Sequence, residues 1–277
     1  ANAILVDGLP AATIPSVVIS DVIAGTLDPS TTAPLAIPPL FHVGLLDSPA
    51  SFVLNSYFGQ AEDSYIFFPD SPVVTMAGNE MVGGTQADGF NVVAGSDGAV
   101  LTGNHLSGAF DYCIDSFGNG ISYTDNSLVG CGDGVGQSGG LRIGDGTATI
   151  EFNSIENNGG PGIVVSGQNN SVGRDRGLAT ISRNSFTDNL GIAIDNSTAS
   201  NNNDMNGDGI SLNDSATTAT AGNLLLDYPI ITDVADAGGG TVDVVGTACS
   251  DCVVEIFEAV AGSGDSVAVP IPHGEGA

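Results

Sequence analysis

The residues best placed to do chemistry are a short run of oxygen ligands. Asp204-Met205-Asn206-Gly207-Asp208-Gly209 sets a carboxylate or amide at the first, third and fifth places and glycine at the sixth. A calcium loop of the EF-hand type begins this way, because alternate side chains of a tight turn converge on one point and glycine permits the turn. The twelfth place holds Ser215 rather than glutamate, so Asp214 is the late carboxylate on offer. Asp204, Asn206, Asp208 and Asp214 are therefore the expected Ca2+ ligands. A solvated acidic turn is the competing reading of the same residues.

Other chemistry is thinly supplied. His42, His105 and His273 are scattered, and no Ser-His-Asp set gathers around them. The glycine-rich stretch from Gly130 to Gly146 has no lysine with which to hold a phosphate. The only cations are Arg142, Arg174, Arg176 and Arg183, against 32 acids, for a net charge of −28. Arg142 and Arg183 read as outward strand residues paired with surrounding acids. So negative a chain is a poor partner for nucleic acid or anionic membrane, and well suited to solvation in a salty or extracellular medium. No run of 18 apolar residues is present to span a membrane.

Cysteine usage points the same way. Cys113 and Cys131 lie 18 residues apart (131 − 113), less than one repeat, and suit a disulfide between neighbouring turns. Cys249 and Cys252 form a CxxC without the βαβ context of a redox motif or a second ligand pair for zinc; a small loop disulfide is expected. Asn169, Asn196 and Asn213 each open a glycosylation sequon.

The elements that must carry these residues are repeats. Five times an apolar strand is followed by Asn, one residue and a bulky apolar residue, at Asn79, Asn104, Asn126, Asn153 and Asn184. The steps are 25, 22, 27 and 31 residues (104 − 79, 126 − 104, 153 − 126, 184 − 153). A weaker sixth copy begins at Asn55. A period in the twenties with short alternating strands means a solenoid, since one unit cannot bury its own apolar face. The repeated Asn suits a tight bend by tolerating the left-handed conformation, and its amide can bond to the Asn above and below.

The flanks differ from this pattern. Val17, Ile19 and Ile23 share one parity of an N-terminal strand, and Val18 and Val22 share the other, so both faces are apolar. That strand is expected either to cap the first coil or to dock on another copy. Five prolines (Pro29, Pro34, Pro38, Pro39, Pro49) follow it and read as a semi-rigid connector. From Asn223 the strands lengthen and lose the Asn motif, as at the opening of a β-sandwich. The expected division is 1–50 for strand and tether, 51–222 for a parallel β-helix, and 223–277 for a partial sandwich module. The first residue, Ala1, suggests a processed N-terminus.

NSIENNGGPGIVV, NSFTDNLGIAID, DMNGDGISLND, NLLLDYPIITDV and GTVDVVGTACSDCVVEIFEA together resemble bacterial and archaeal surface proteins with right-handed parallel β-helix repeats of the pectate-lyase-like type. The resemblance covers roughly residues 70 to 260. It implies an all-β, right-handed parallel β-helix, followed by an immunoglobulin-like module that looks truncated. It is specific for fold, not activity. Lyases of this fold pair calcium with an Arg or Lys base; the hydrolase signatures, an Asp-Asp pair, Gly-His-Gly and Arg-Ile-Lys, are missing from this sequence.

The favoured expectation is a secreted, non-catalytic structural subunit of an extracellular filament, fibre or surface layer, a homopolymer joined head-to-tail by the N-terminal strand. The alternatives are a cell-surface adhesin that binds glycans, with Tyr65, Phe67, Phe68, Phe110, Tyr112, Phe117 and Tyr123 as candidate contacts, and a polysaccharide lyase or hydrolase.

Overall fold

The computed structural model describes residues 4–7, 17–24, 42–61, 66–67, 70–84, 88–132, 138–169, 173–198, 209, 211–250, 253–257, 259–260 and 275–276. Asp204, Asn206, Asp208 and Cys252 lie outside them, as does most of the Pro-rich stretch.

Within this range the chain is a parallel β-helix. Its short strands build three parallel sheets of eight, seven and seven strands, and each coil visits the three sheets in turn. Sheet A contains Phe90–Val92, Ile114–Ser116, Leu141–Ile143, Ile163–Val165 and Ile194–Asn196 in consecutive register. Sheet B contains Thr75–Ala77, Val100–Thr102, Ile121–Thr124, Gly146–Glu151 and Gly177–Ser182; sheet C contains Glu80–Gly84, His105–Ser107, Ser127–Val129, Ser154–Glu156 and Ser185–Thr187.

A three-residue strand has one inward side chain at its centre or two at its ends, so the core is a set of columns. In sheet B the column runs Ile19, Val53, Met76, Leu101, Tyr123, Ile150. In sheet C it runs Phe58, Met81, Leu106, Leu128, Ile155, Phe186. All twelve are buried. Each contributes about 1.5–3 kcal/mol of apolar burial, which one coil alone could not secure.

The bend from sheet B to sheet C is stitched by the repeated asparagines. Nδ2 of Asn79, Asn104, Asn126 and Asn153 donates to Oδ1 of the next Asn in the series at 2.9, 2.9, 3.0 and 2.9 Å. The same Oδ1 atoms accept the backbone N–H one coil back, as when Asn104 N meets Asn126 Oδ1 at 3.1 Å. The left-handed backbone lies one residue before the ladder, at Gly78, Gly103, Asp125, Phe152 and Arg183, and not at the Asn itself. This corrects the sixth copy. Asn55 takes the left-handed place (φ 46°), and Ser56 stands in the ladder, its N–H donating to Asn79 Oδ1 at 3.1 Å. A second ladder forms at the next bend, where Asn158 Nδ2 donates to Asn189 Oδ1 at 2.7 Å.

The N-terminal strand is used in cis. Val18–Ser20 pairs in parallel with Phe52–Leu54, and Ile23–Ala24 with Tyr57–Phe58. Ile4–Asp7 pairs with Val43–Leu46. Ile19 enters the core while Val18 and Ile23 stay exposed. The expected boundary at residue 50 therefore falls within the solenoid. At the other end, Gly222–Leu225 forms a short turn against the last coil, where Asn223 Oδ1 accepts Ala179 N at 2.7 Å. Beyond it lies a small antiparallel sheet, the hairpin of Ile230–Gly238 and Thr241–Thr247.

Candidate functional site

The strand Leu141-Arg142-Ile143 puts two apolar side chains inside sheet A and the arginine on its outer face. Solvent does not meet it there. Arg142 is the outward, acid-paired strand residue expected, but it is only 4% exposed. Register sets Asp115 beside it on the next strand. The pair is bidentate, with Nε–Oδ1 at 2.7 Å and Nη2–Oδ2 at 2.5 Å. The Tyr112 and Phe117 rings cover the guanidinium, at 4.8 and 5.3 Å from its carbon. Arg174 stacks on Phe117 at 3.6 Å, so two of the four arginines meet around one ring.

A second carboxylate lies alongside. Asp88 precedes the strand Phe90–Val92; its Oδ1 accepts Tyr112 N at 3.1 Å and its Oδ2 accepts Asn91 Nδ2 at 3.3 Å. Burial, reinforced by Asp115, pushes the Asp88 carboxyl well above the usual range, although Arg142 pulls against this. Burial opposes the charge on Arg142, but the field and hydrogen bonds of Asp115 outweigh it and raise its pKa. Burial lowers that of Arg174, with Arg142 adding to the effect. Burial raises the Tyr112 phenol.

Two neighbouring carboxylates in unlike surroundings are what glycoside hydrolysis needs. This pair does not supply it. Both oxygens of Asp115 go to Arg142, and both of Asp88 hold a backbone or amide donor. At 3% and 8% exposure neither reaches a glycosidic bond. The cluster acts instead as a clamp that fastens Tyr112, Phe117 and Arg174 onto the outer face of sheet A.

The Cys113–Cys131 disulfide lies beside this clamp. It joins the start of the strand Ile114–Ser116 to the end of Ser127–Val129, with Cα atoms 5.4 Å apart. The bridge thus closes one coil into a covalent ring. Cys249 is also disulfide-bonded.

The remaining candidates disperse. Asp214 is exposed; its Oδ1 accepts Ala216 N at 2.8 Å in a local turn, and no cluster of three metal-ligating side chains occurs among the described residues. Tyr112, Phe117 and Tyr123 are buried, Phe110 is exposed, and the side chains of Tyr65, Phe67 and Phe68 lie outside the described residues. They form no single aromatic face. Asn169 is buried, and Asn213 exchanges two hydrogen bonds with the Tyr228 backbone at 2.7 and 2.9 Å. Arg183 lies over Phe152 at 5.3 Å, and its N–H donates to Glu255.

The clamp was missed because its members are 27 residues apart at each step (115 − 88 and 142 − 115). Only the second step is a register step, Asp115 standing beside Arg142; the register partner of Asp115 on the preceding coil is Asn91, so Asp88 joins from the bend before its strand. No family model, no curated protein and no solved structure matches this chain.

Proposed function

We propose that this protein is a non-catalytic structural subunit of an extracellular assembly, joined to other copies through its C-terminal hairpin. The observation that carries this reading is the exposure of apolar side chains along that hairpin. Val242 is 63% exposed, and Ile231, Val234 and Val245 are also open to solvent. A lone two-stranded hairpin is marginal in water, and an apolar surface of this kind is ordinarily covered. An apolar cavity of about 490 Å³ lies between the last coil and this module, lined by Phe186, Ile194, Ile231 and Phe257 among others.

The rest of the molecule suits a passive role. The ladders make a stiff rod, the buried carboxylates are occupied by structural partners, and the disulfide favours an oxidising compartment. Because the N-terminal strand is used in cis, the hairpin takes the part first expected of that strand. Each copy carries −28, so association requires screening of like charge. Electron microscopy of the full chain at about 1 M salt, where screening is nearly complete, tests the reading. Fibres or sheets that disappear in Val242→Asp/Val245→Asp support it; separate particles in the parent protein reject it.

A further inference from the structure

Five bends from sheet B to sheet C each carry an N–H that is satisfied by the next coil. It belongs to the left-handed residue of the bend, and it donates to the carbonyl just before the left-handed place one coil on. Asp21 N meets Leu54 O at 3.2 Å, Asn55 N meets Ala77 O at 3.0 Å, Gly78 N meets Thr102 O at 3.1 Å, Gly103 N meets Thr124 O at 3.1 Å and Asp125 N meets Glu151 O at 3.3 Å. Arg183 is the left-handed residue of the last coil (φ 56°). Its N–H donates to Glu255 Oε2 at 2.9 Å, so a carboxylate from beyond the hairpin stands where the carbonyl of a further coil would. The other two sheets are closed in the same region. Asn223 Oδ1 takes Ala179 N on the last strand of sheet B at 2.7 Å. Just past the last strand of sheet A, Ser197 O accepts Gly222 N at 3.0 Å, so close that a Cβ at residue 222 would collide with Val165 O.

We infer that Glu255, together with Asn223, is an autoinhibitory cap that keeps the last coil from taking up the first coil of a second copy. The first coil has the matching geometry. Asp21 is left-handed there (φ 54°), and Ser20 precedes it as Leu54 precedes Asn55. Ser20 O of a second copy can therefore accept Arg183 N in the register that the five bends above already use. The three sheets are parallel and run in chain order, with Ile4–Asp7, Val18–Ser20 and Ile23–Ala24 as their outermost strands at that end. A junction of last coil on first coil thus continues all three sheets without reversing a strand. Open strand edges pair with other chains, and a solenoid stays separate only where its terminal unit is closed. This contact uses the coil ends and does not need the hairpin.

The test uses the full chain carrying Val242→Asp/Val245→Asp, which disables the hairpin contact and so separates this inference from the assembly proposed above. Into that background Glu255→Arg removes the acceptor, while Glu255→Gln keeps one. Amide hydrogen exchange at Arg183 should be about tenfold or more faster in the Arg variant than in the background, and close to the background in the Gln variant. Electron microscopy at about 1 M salt, where like charge is screened, should show the Arg variant as single-file rods one coil wide, and the background and the Gln variant as separate particles. Asn223→Ala removes the sheet B acceptor alone. It should speed exchange at Ala179 and give the same rods, and it decides the matter if circular dichroism shows the Arg variant unfolded. The inference is overturned if Arg183 exchanges equally fast in the background and the folded Arg variant, if the folded cap variants remain separate particles, or if the Gln variant stacks as the Arg variant does.

Discussion

Asn126 sits in the middle of the ladder, and its replacement measures what the ladder contributes. Its Oδ1 accepts from Asn104 N at 3.1 Å and from Asn104 Nδ2 at 2.9 Å; its Nδ2 donates to Leu101 O at 2.9 Å and Asn153 Oδ1 at 3.0 Å. In Asn126→Ala two neighbours keep other partners. Asn104 Nδ2 still donates to Met76 O, and Asn153 Oδ1 still accepts Asn126 N. The buried Asn104 N–H does not, and an orphaned buried donor costs about 1–3 kcal/mol. With the net loss of the three remaining bonds at about 0.5–1.5 kcal/mol each, a total of about 2.5–7.5 kcal/mol follows. Asn126→Asp keeps Oδ1 but places an oxygen against two acceptors, Leu101 O and Asn153 Oδ1. Only the protonated carboxyl can donate there, so its folded pKa must rise. A raised acid stabilises below its ordinary pKa of about 4 and loses that contribution as pH climbs through the raised value. Urea unfolding followed by circular dichroism, at about pH 4 and about pH 8, should show the Asp variant near the parent at the lower pH and well below it at the higher. An Ala variant within about 0.5 kcal/mol of the parent, or an Asp variant with no added pH dependence, would refute the reasoning.

Three further expectations concern the clamp and the ring it adjoins. Arg142→Met strands a buried carboxylate and should cost about 3–5 kcal/mol in urea unfolding, while adding Asp115→Leu should recover most of the loss. Burial first, and Asp115 second, raise the Asp88 carboxyl, so its contribution to stability is complete at low pH and falls away as pH rises. Asp88→Asn should therefore melt higher than the parent above neutral pH and lose that advantage in acid. Cys113→Ala/Cys131→Ala opens a loop closed over 18 residues and should lower stability by about 3 kcal/mol; a reductant should affect the parent similarly under denaturing conditions.

Much of the solenoid was legible because its cause is local and periodic. An Asn that bonds to its own kind one coil away must recur at the coil period, and an inward side chain must recur beside it. Asn55 misled because the motif has two polar places in sequence, the left-handed residue and the ladder residue, and Asn suits both. The pair Ser56 and Asn79 reveals the true register only through the hydrogen bond between coils. The strand at Val17 to Ile23 was ambiguous for a physical reason: apolar residues at both parities do not say which face is covered, and in the first coil Ile19 enters the core while Val18 and Ile23 stay exposed. The burial of Arg142 was not legible, because alternation says which way a side chain leaves the sheet and not what lies over it. Tyr112 and Phe117, which cover it, come from the preceding coil, and their packing is a tertiary fact.

The central claim, that copies associate through the hairpin once their charge is screened, is tested most directly by sedimentation velocity of the full chain across a salt series. The account predicts a 27.6 kDa species at low salt that gives way to larger assemblies as salt rises, with Val242→Asp/Val245→Asp remaining at the smaller mass throughout. A parent protein that sediments as a single 27.6 kDa species at every salt concentration would contradict it.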